Sequence, residues 1–354
     1  MSPRFFFQLA GHLLLGAVGG LAGAALGLPM PFLLGALAAV APLIIWQGAR
    51  GVESFSFPRE LRHSFVGVIG TMIGARFSPD LVAKVPTIWV SLLAVAGFVV
   101  AAHMFAYLVY RRVAGYDRAT SLYGAMPGGL IEGVSLGEQA GGNVMLLTVH
   151  HFARIVIVVI TVPLLFVLLS GEVVGSAAGL SAQVAESGWQ DVLLIGVIAV
   201  VGMKLGRLVR LPAGQIMGPL LMSAILHAFG VVDVESPFWL LALAQLIVGT
   251  GLATQFAGAT PRILVRAFGL TLLAVSGMFV FAGIIALGVA RVTVMDFPAA
   301  FISFAPGGVA EMGLIALSLD ASPVLVAVHH LVRIMLTVVF VRYADRYLRR
   351  ADAV

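Results

Sequence analysis

Twelve apolar stretches, each close to the length a helix needs to cross a bilayer, follow one another along this 354-residue chain. They run at about 5–26, 29–46, 61–77, 87–110, 119–140, 143–169, 189–209, 212–230, 237–257, 263–290, 297–319 and 322–344. Apolar residues in them are continuous rather than alternating, which excludes a membrane β-barrel. Charged residues make up 10% of the chain, against roughly 25% in a soluble domain. A globule of this size could not be wetted by so few polar groups. A soluble enzyme, a nucleic-acid-binding domain and a disordered chain are thereby excluded. An all-α polytopic membrane protein remains. The formal net charge of +5 fits its cytoplasmic loops rather than a nucleic-acid partner. With no cysteine in the chain, disulfides, thiolate metal sites and Cys nucleophiles are ruled out.

The stretches belong to a duplication. Pro127-Gly128-Gly129-Leu130-Ile131-Glu132 returns as Pro306-Gly307-Gly308-Val309-Ala310-Glu311. Val149-His150-His151-Phe152-Ala153-Arg154-Ile155 returns as Val328-His329-His330-Leu331-Val332-Arg333-Ile334. Both pairs are 179 residues apart, as are Gly70-Thr71 and Gly249-Thr250. Gly19, Gly23, Leu28-Pro29 and Gly35 recur 183 residues on as Gly202, Gly206, Leu211-Pro212 and Gly218. The expected organisation is a membrane repeat at 1–175, an extracytoplasmic linker at 176–188 and a second membrane repeat at 189–354, forming one integrated membrane domain. The first stretch has the outline of a signal peptide, but its copy lies mid-chain, so it is read as part of the repeat.

Charge predicts how the copies are oriented. The turn at Gly27-Leu28 carries no base, while its copy carries Lys204, Arg207 and Arg210. The loop with Arg50, Arg59 and Arg62 has a copy with Asp233 and Glu235 and no base. Bases change loops between copies, as the positive-inside rule requires of inverted repeats. Inversion needs an odd number of crossings per repeat, so one of six stretches does not cross. The Pro-Gly-Gly stretch is the most polar and the least suited to a continuous helix. Five transmembrane helices plus one re-entrant or broken segment per repeat place sixteen bases inside and leave Arg76, Lys84 and Arg291 outside. Twelve full crossings would put twelve inside and seven outside. Both termini are then cytoplasmic.

Arg154 and Arg333 each lie about twelve residues into an apolar stretch. An arginine at the centre of a lone span costs roughly 3 kcal/mol or more. Two at matched positions need partners or a wet cavity. Helical spacing puts His150 and His151 on the turn before Arg154, and His329 and His330 before Arg333. Glu132 and Glu311 follow the helix-breaking Pro-Gly-Gly turns by three residues. A half-helix starting there aims its free N–H groups inward, an arrangement suited to an anion. Two readings stand. In one, Glu132–Arg154 and Glu311–Arg333 are buried ion pairs that lock each broken segment, with Glu132 also serving as a helix cap. In the other, the candidate substrate-binding residues are Pro127, Gly128, Gly129, Glu132, His150, His151, Arg154, Pro306, Gly307, Gly308, Glu311, His329, His330 and Arg333. There the arginines clamp an anion and Glu or His carries a proton. Adjacent histidines point about 100° apart on a helix, so no metal site is expected, and no cofactor.

These paired Pro-Gly-Gly-x-x-Glu and Val-His-His-x-x-Arg-Ile motifs resemble the AbrB-duplication family of bacterial integral membrane proteins, over nearly the whole chain. The resemblance implies a multi-pass protein of the bacterial inner (plasma) membrane. Members carry the label ammonia monooxygenase or are described as membrane regulators of gene expression. The oxygenase label finds no carboxylate–histidine cluster of metal-ligand spacing here. No soluble helix-turn-helix segment supports direct DNA binding.

The function expected is a secondary transporter of a small solute, a small organic anion first, with proton coupling, working by alternating access. The alternative is a membrane sensor or regulator acting through a partner. A membrane enzyme ranks third, and the chain is read as no enzyme. Partners are a small-molecule or ion substrate and the lipid bilayer, with a homodimer left open and no nucleic acid.

Overall fold

The computed structural model describes residues 3–28, 30–52, 55–77, 88–170, 188–209, 211, 213–257, 260–319 and 321–351. Most of the linker at 176–188, with Asp320, Lys84 and Arg210, lies outside them. The described residues form α1 (Pro3–Ala25), α2 (Pro31–Ala49), α3 (Arg59–Gly74), α4 (Trp89–Leu108), α5 (Arg118–Gly124), α6 (Leu130–Gln139) and α7 (Val144–Ser170). The second half supplies α8 (Trp189–Leu208), α9 (Gly214–Ala228), α10 (Phe238–Ala253), α11 (Pro261–Val292), α12 (Phe297–Phe304), α13 (Val309–Ser318) and α14 (Pro323–Ala351). A π-helical turn, Val109–Val113, extends α4, and a 3₁₀ turn, Thr254–Phe256, extends α10.

Seven helical stretches among the described residues are long and apolar enough to cross a membrane: Phe5–Ala25, Pro31–Ala49, Trp89–Val113, Val144–Leu169, Phe238–Phe256, Pro261–Val292 and Pro323–Leu348. Large apolar side chains such as Phe7, Leu168, Val265 and Ile284 stay exposed on them, as expected of helices solvated by lipid. The described residues form helices and no strand, and the protein is of multi-pass membrane type. Of the ten spans expected, three fall short by that measure. At 16 and 15 residues, α3 and α9 reach only about 24 Å and 22 Å. In α8, Asp191, Lys204 and Arg207 interrupt the apolar run.

Each Pro-Gly-Gly stretch is a helix, a break and a second helix. The pair α5 and α6 flanks Pro127-Gly128-Gly129, and α12 and α13 flank Pro306-Gly307-Gly308. No member exceeds ten residues, so none spans alone. Asp117 caps α5 by accepting from the Thr120 N–H at 2.8 Å, and Asp296 caps α12 from the Ala299 N–H at 3.1 Å. These caps also stand 179 residues apart, a pair that the motifs alone do not pick out.

Packing divides the chain into two compact units, and each draws on both repeats. The first comprises Met1–Ala83, Ile160–Thr260 and Gly313–Val324. Its joints are glycine crossings that occur twice. A methyl group on Gly35 of α2 would overlap the Gly19 carbonyl oxygen of α1, and one on Gly218 of α9 would overlap the Gly202 oxygen of α8. Between repeats the contacts are reciprocal. A methyl on Gly70 of α3 would lie 2.5 Å from the Ile216 oxygen of α9, and one on Gly249 of α10 would lie 2.5 Å from the Leu33 oxygen of α2. Each repeat thus lends its third helix to the other repeat's hairpin. Phe5 packs on Phe55, with ring centroids 5.7 Å apart, while Phe6 and Phe7 are exposed.

The second unit comprises Lys84–Val159, Pro261–Met312 and Leu325–Val354. Here α4 lies against α11, and α12 against α11. Leu122, Tyr123, Met126, Leu147 and Val341 form a buried cluster at the first break. His103 is a packing residue, fully buried with its ring edge-on to Phe340 at 5.2 Å. All fourteen candidate site residues belong to this unit.

Candidate functional site

Gly129 adopts φ 71° and ψ 67°, a left-handed conformation that only glycine enters cheaply. This turns the chain sharply after Pro127 and starts α6 afresh. The Glu132 carboxylate folds back over that start, with Oε2 3.0 Å from where a Gly129 Cβ would sit. Glu311 folds against Gly308 in the same manner. Glu132 is half-buried and Glu311 is buried. Both carboxylates thus lie in the first turn of their helices, beside the break.

Both arginines reach into the breaks. Arg154 of α7 donates through Nη1 to the Met126 carbonyl oxygen and to His151 Nδ1, the latter at 3.3 Å. Arg333 of α14 donates through Nη1 to the Ala305 carbonyl oxygen, and through Nη2 to the Gly307 oxygen at 2.6 Å and to His330 Nδ1 at 3.2 Å. Met126 and Ala305 are repeat counterparts. A guanidinium with five donors is the side chain best able to serve several main-chain carbonyls at a helix interruption. That answers how two buried guanidinium groups, 5% and 1% exposed, are tolerated.

The halves also meet across the repeat. A Cβ on Gly128 would lie 3.3 Å from Arg333 Nε, so the first break abuts the second repeat's arginine. Tyr110 and, from the other repeat, Glu311 both lie close enough to Arg154 for their charge to bear on it. Arg154 and Arg333 lie close enough to feel each other's charge. In both arginines the buried Nε–H has no hydrogen-bond partner.

The four histidines divide into two kinds. His151 Nε2 faces the Tyr123 carbonyl oxygen at 3.1 Å, and His330 Nε2 faces that of Ile302 at 2.9 Å. A carbonyl only accepts, so Nε2 carries the hydrogen and Nδ1 is left to receive the arginine. These two rings orient Arg154 and Arg333. His150 and His329 reach across the repeat instead. His150 meets Thr271 of α11 at 2.7 Å, and His329 meets Ser91 of α4 at 2.8 Å. Ser91 and Thr271 are themselves counterparts, since Ser91-Leu92-Leu93-Ala94-Val95 returns 180 residues on as Thr271-Leu272-Leu273-Ala274-Val275, a match one residue off the 179 spacing of the motifs; the Tyr116 hydroxyl beside His150 has no such copy.

Among secondary candidates, Asn143 caps α7 by accepting from the Leu146 N–H at 3.0 Å, and Glu138 and Gln139 are exposed. Thr71 and Thr254 hydrogen-bond to carbonyls of their own helical turns. Among the described residues no three His or carboxylate side chains gather as metal ligands.

A duplicated, interrupted-helix protein of membrane type, with a buried arginine seated in each break, is the class that fold and site define. The chain belongs to the AbrB family, described as "Transition state regulatory protein AbrB", whose pattern matches residues 40–349. It is similar to "Putative regulator AbrB" of Escherichia coli K12, with 24% identity over 307 residues covering 85% of each chain. It is also similar to "Uncharacterized protein YhjN" of Bacillus subtilis 168, with 24% identity over 292 residues covering 77% of this chain and 74% of that one.

Proposed function

We propose that the protein is a secondary transporter of a small organic anion, coupled to protons, in the bacterial inner membrane. The carrying observation is the pair of buried arginines that hold the two broken helices and each keep an Nε–H donor in hand. Broken helices at membrane depth occur where backbone lines a cavity, and transporters use their half-helix N-termini for anionic groups. A carboxylate arriving between Arg154 and Arg333 would relieve their mutual repulsion. It would also compete with Glu311 for Arg154, a means of linking binding to rearrangement.

The proposed topology is two inverted repeats, each of five spans and one Pro-Gly-Gly segment, with both termini cytoplasmic. Reciprocal contacts support it: a two-fold relation makes every cross-repeat contact occur twice, as Gly70–Ile216 and Gly249–Leu33 do. The exchange of basic loops between copies argues that the axis lies in the membrane plane.

A thermal-shift screen of the purified protein against small acids, amines and cations tests the substrate class. Stabilisation by acids that disappears in Arg154→Ala is the expected result. Stabilisation by amines alone would reject the anion. A second reading, a membrane regulator acting through a partner, rests on the name of one relative alone, "Putative regulator AbrB". An expression phenotype of the null strain that is fully restored by an Arg154→Ala/Arg333→Ala protein would favour that one.

A further inference from the structure

We infer that His150 is the site that binds the coupling proton, and that the Tyr116 hydroxyl delivers it. This rests on the transport reading above and deepens it. Of the four site histidines, His150 alone has hydroxyl groups on both ring nitrogens: Thr271 Oγ1 at 2.7 Å from Nδ1 and Tyr116 Oη at 3.1 Å from Nε2. A hydroxyl donates or accepts as required. The ring can therefore be neutral in either tautomer, or an imidazolium donating to both oxygens, with no heavy atom displaced. His151 and His330 are locked. A second proton on either would remove the Nδ1 lone pair that receives the arginine. His329 keeps its Nδ1–H on the Leu325 carbonyl oxygen at 2.7 Å and meets a hydroxyl, that of Ser91, only at Nε2, so what sets His150 apart from it is the tyrosine beside the ring.

The path to solvent belongs to the first repeat only. His150 is buried, but Tyr116 is half-buried in the loop between the π-helical turn and α5. That loop is pinned: Arg111 donates to the Tyr116 carbonyl oxygen at 2.7 Å, and Arg266 donates to that of Ala114 at 2.9 Å. The π-helical turn holds the Tyr110 ring 4.5 Å from the His150 ring and aims its hydroxyl at Thr271 at 3.4 Å. Desolvation pushes the Tyr116 phenol above its usual value, against the opposing charge of Arg266, so it remains an O–H relay. Counterpart positions in the second repeat hold Met295 and Val289 in place of Tyr116 and Tyr110, so only one of the two sites is so equipped.

The charges around His150 supply the coupling. Arg154 lies one turn along the same helix, His151 is adjacent, and Tyr110, Tyr116 with Arg266, and Thr271 face it from the neighbouring elements. A fixed positive charge on Arg154, one helical turn away, would oppose a second positive charge on His150. An anion that neutralises Arg154 removes the opposition, so proton and anion favour each other's binding.

Nitrogen NMR of histidine-labelled protein in bilayers tests this without any substrate, with His150 assigned by its loss in His150→Asn. His150 should pass from neutral ring to imidazolium as the pH is lowered, while His151 and His330 keep the neutral Nε2–H form. Tyr116→Phe, which retains the histidine, should lower the midpoint by about half a unit or more through loss of an acceptor for the charged ring. Arg154→Gln should raise it. A His150 that stays neutral at every pH at which the protein remains folded, or a midpoint unmoved by both variants, overturns the assignment even if flux is measured. Titration as expected in a protein that moves no acid in proteoliposomes upholds the proton site and rejects the transport reading.

Discussion

The two packing units are built from the same duplication, yet they use it differently. In the first, the repeated positions are glycines, and each copy brings backbone against backbone: Gly19 on Gly35, Gly202 on Gly218. In the second, the repeated positions are charged and aromatic-polar, and each copy places a guanidinium on main-chain carbonyls at a helix break. Between helices in lipid, association relies on van der Waals closeness and hydrogen bonds, because the lipid tails are as apolar as the side chains. The first unit takes the closeness route. The second takes the hydrogen-bond route and gathers every buried arginine and paired histidine among the described residues. A framework and a chemical site can thus come from one ancestral pattern, according to whether its small residues or its breaks dominate.

The largest expected effect lies at the arginines. Arg333→Ala removes donors from Ala305 and Gly307 together, and Arg154→Ala removes one from Met126. Uptake or efflux of the stabilising acid in proteoliposomes should fall by at least about a hundredfold in either, as when a preorganised clamp on charge is lost. Arg333→Lys should also fail, because a single ammonium cannot reproduce the forked contact. Unchanged flux in both alanine variants would place the chemistry elsewhere and reduce the difference between the units to packing alone.

Next come the glycine crossings. Gly218→Val and Gly35→Val should each lower stability by about 1–3 kcal/mol through overpacking, read as a lower midpoint in thermal denaturation in detergent. Reciprocity sharpens the test. Gly70→Val and Gly249→Val should cost similar amounts, since each would press on one carbonyl of the partner repeat. A large loss at one and none at the other would break the equivalence of the two copies.

The helical stretches, the breaks and the paired motifs are legible in the amino-acid sequence, because apolar runs, helix-breaking residues and a fixed spacing are all local. Where a side chain points is not. Arg154 and Arg333 stand out as anomalies in apolar runs, but their acceptors are main-chain carbonyls of Met126, Ala305 and Gly307, and main chain has no sequence signature. The adjacent histidines look equivalent because spacing cannot tell a ring that faces a carbonyl from one that faces a hydroxyl. The grouping into units is hidden for another reason: α3 and α10 pack across the repeat, and a duplication shows which segments are alike, not which are neighbours.

The smallest effect is the most discriminating between the two copies of the break. The Asp117 and Asp296 caps are equivalent, so Asp117→Ala and Asp296→Ala should each cost about 1 kcal/mol. The glycines that follow are not equivalent. Gly129 holds φ 71°, whereas Gly308 is not among the positive-φ glycines. Gly129→Ala should cost about 1 kcal/mol from the left-handed backbone, with little displacement of Glu132, whose Oε2 stands 3.0 Å from the new methyl. Gly308→Ala carries no such backbone term, but its methyl would overlap the Glu311 carboxylate and drive it off. Because the Glu311 charge bears on Arg154, Gly308→Ala should alter anion-induced thermal stabilisation more than it alters the stability of the unliganded protein. Gly129→Ala should do the reverse. Identical behaviour of the two variants in both measurements would mean that Glu311 has no special hold on Arg154, and that the two breaks differ in sequence alone.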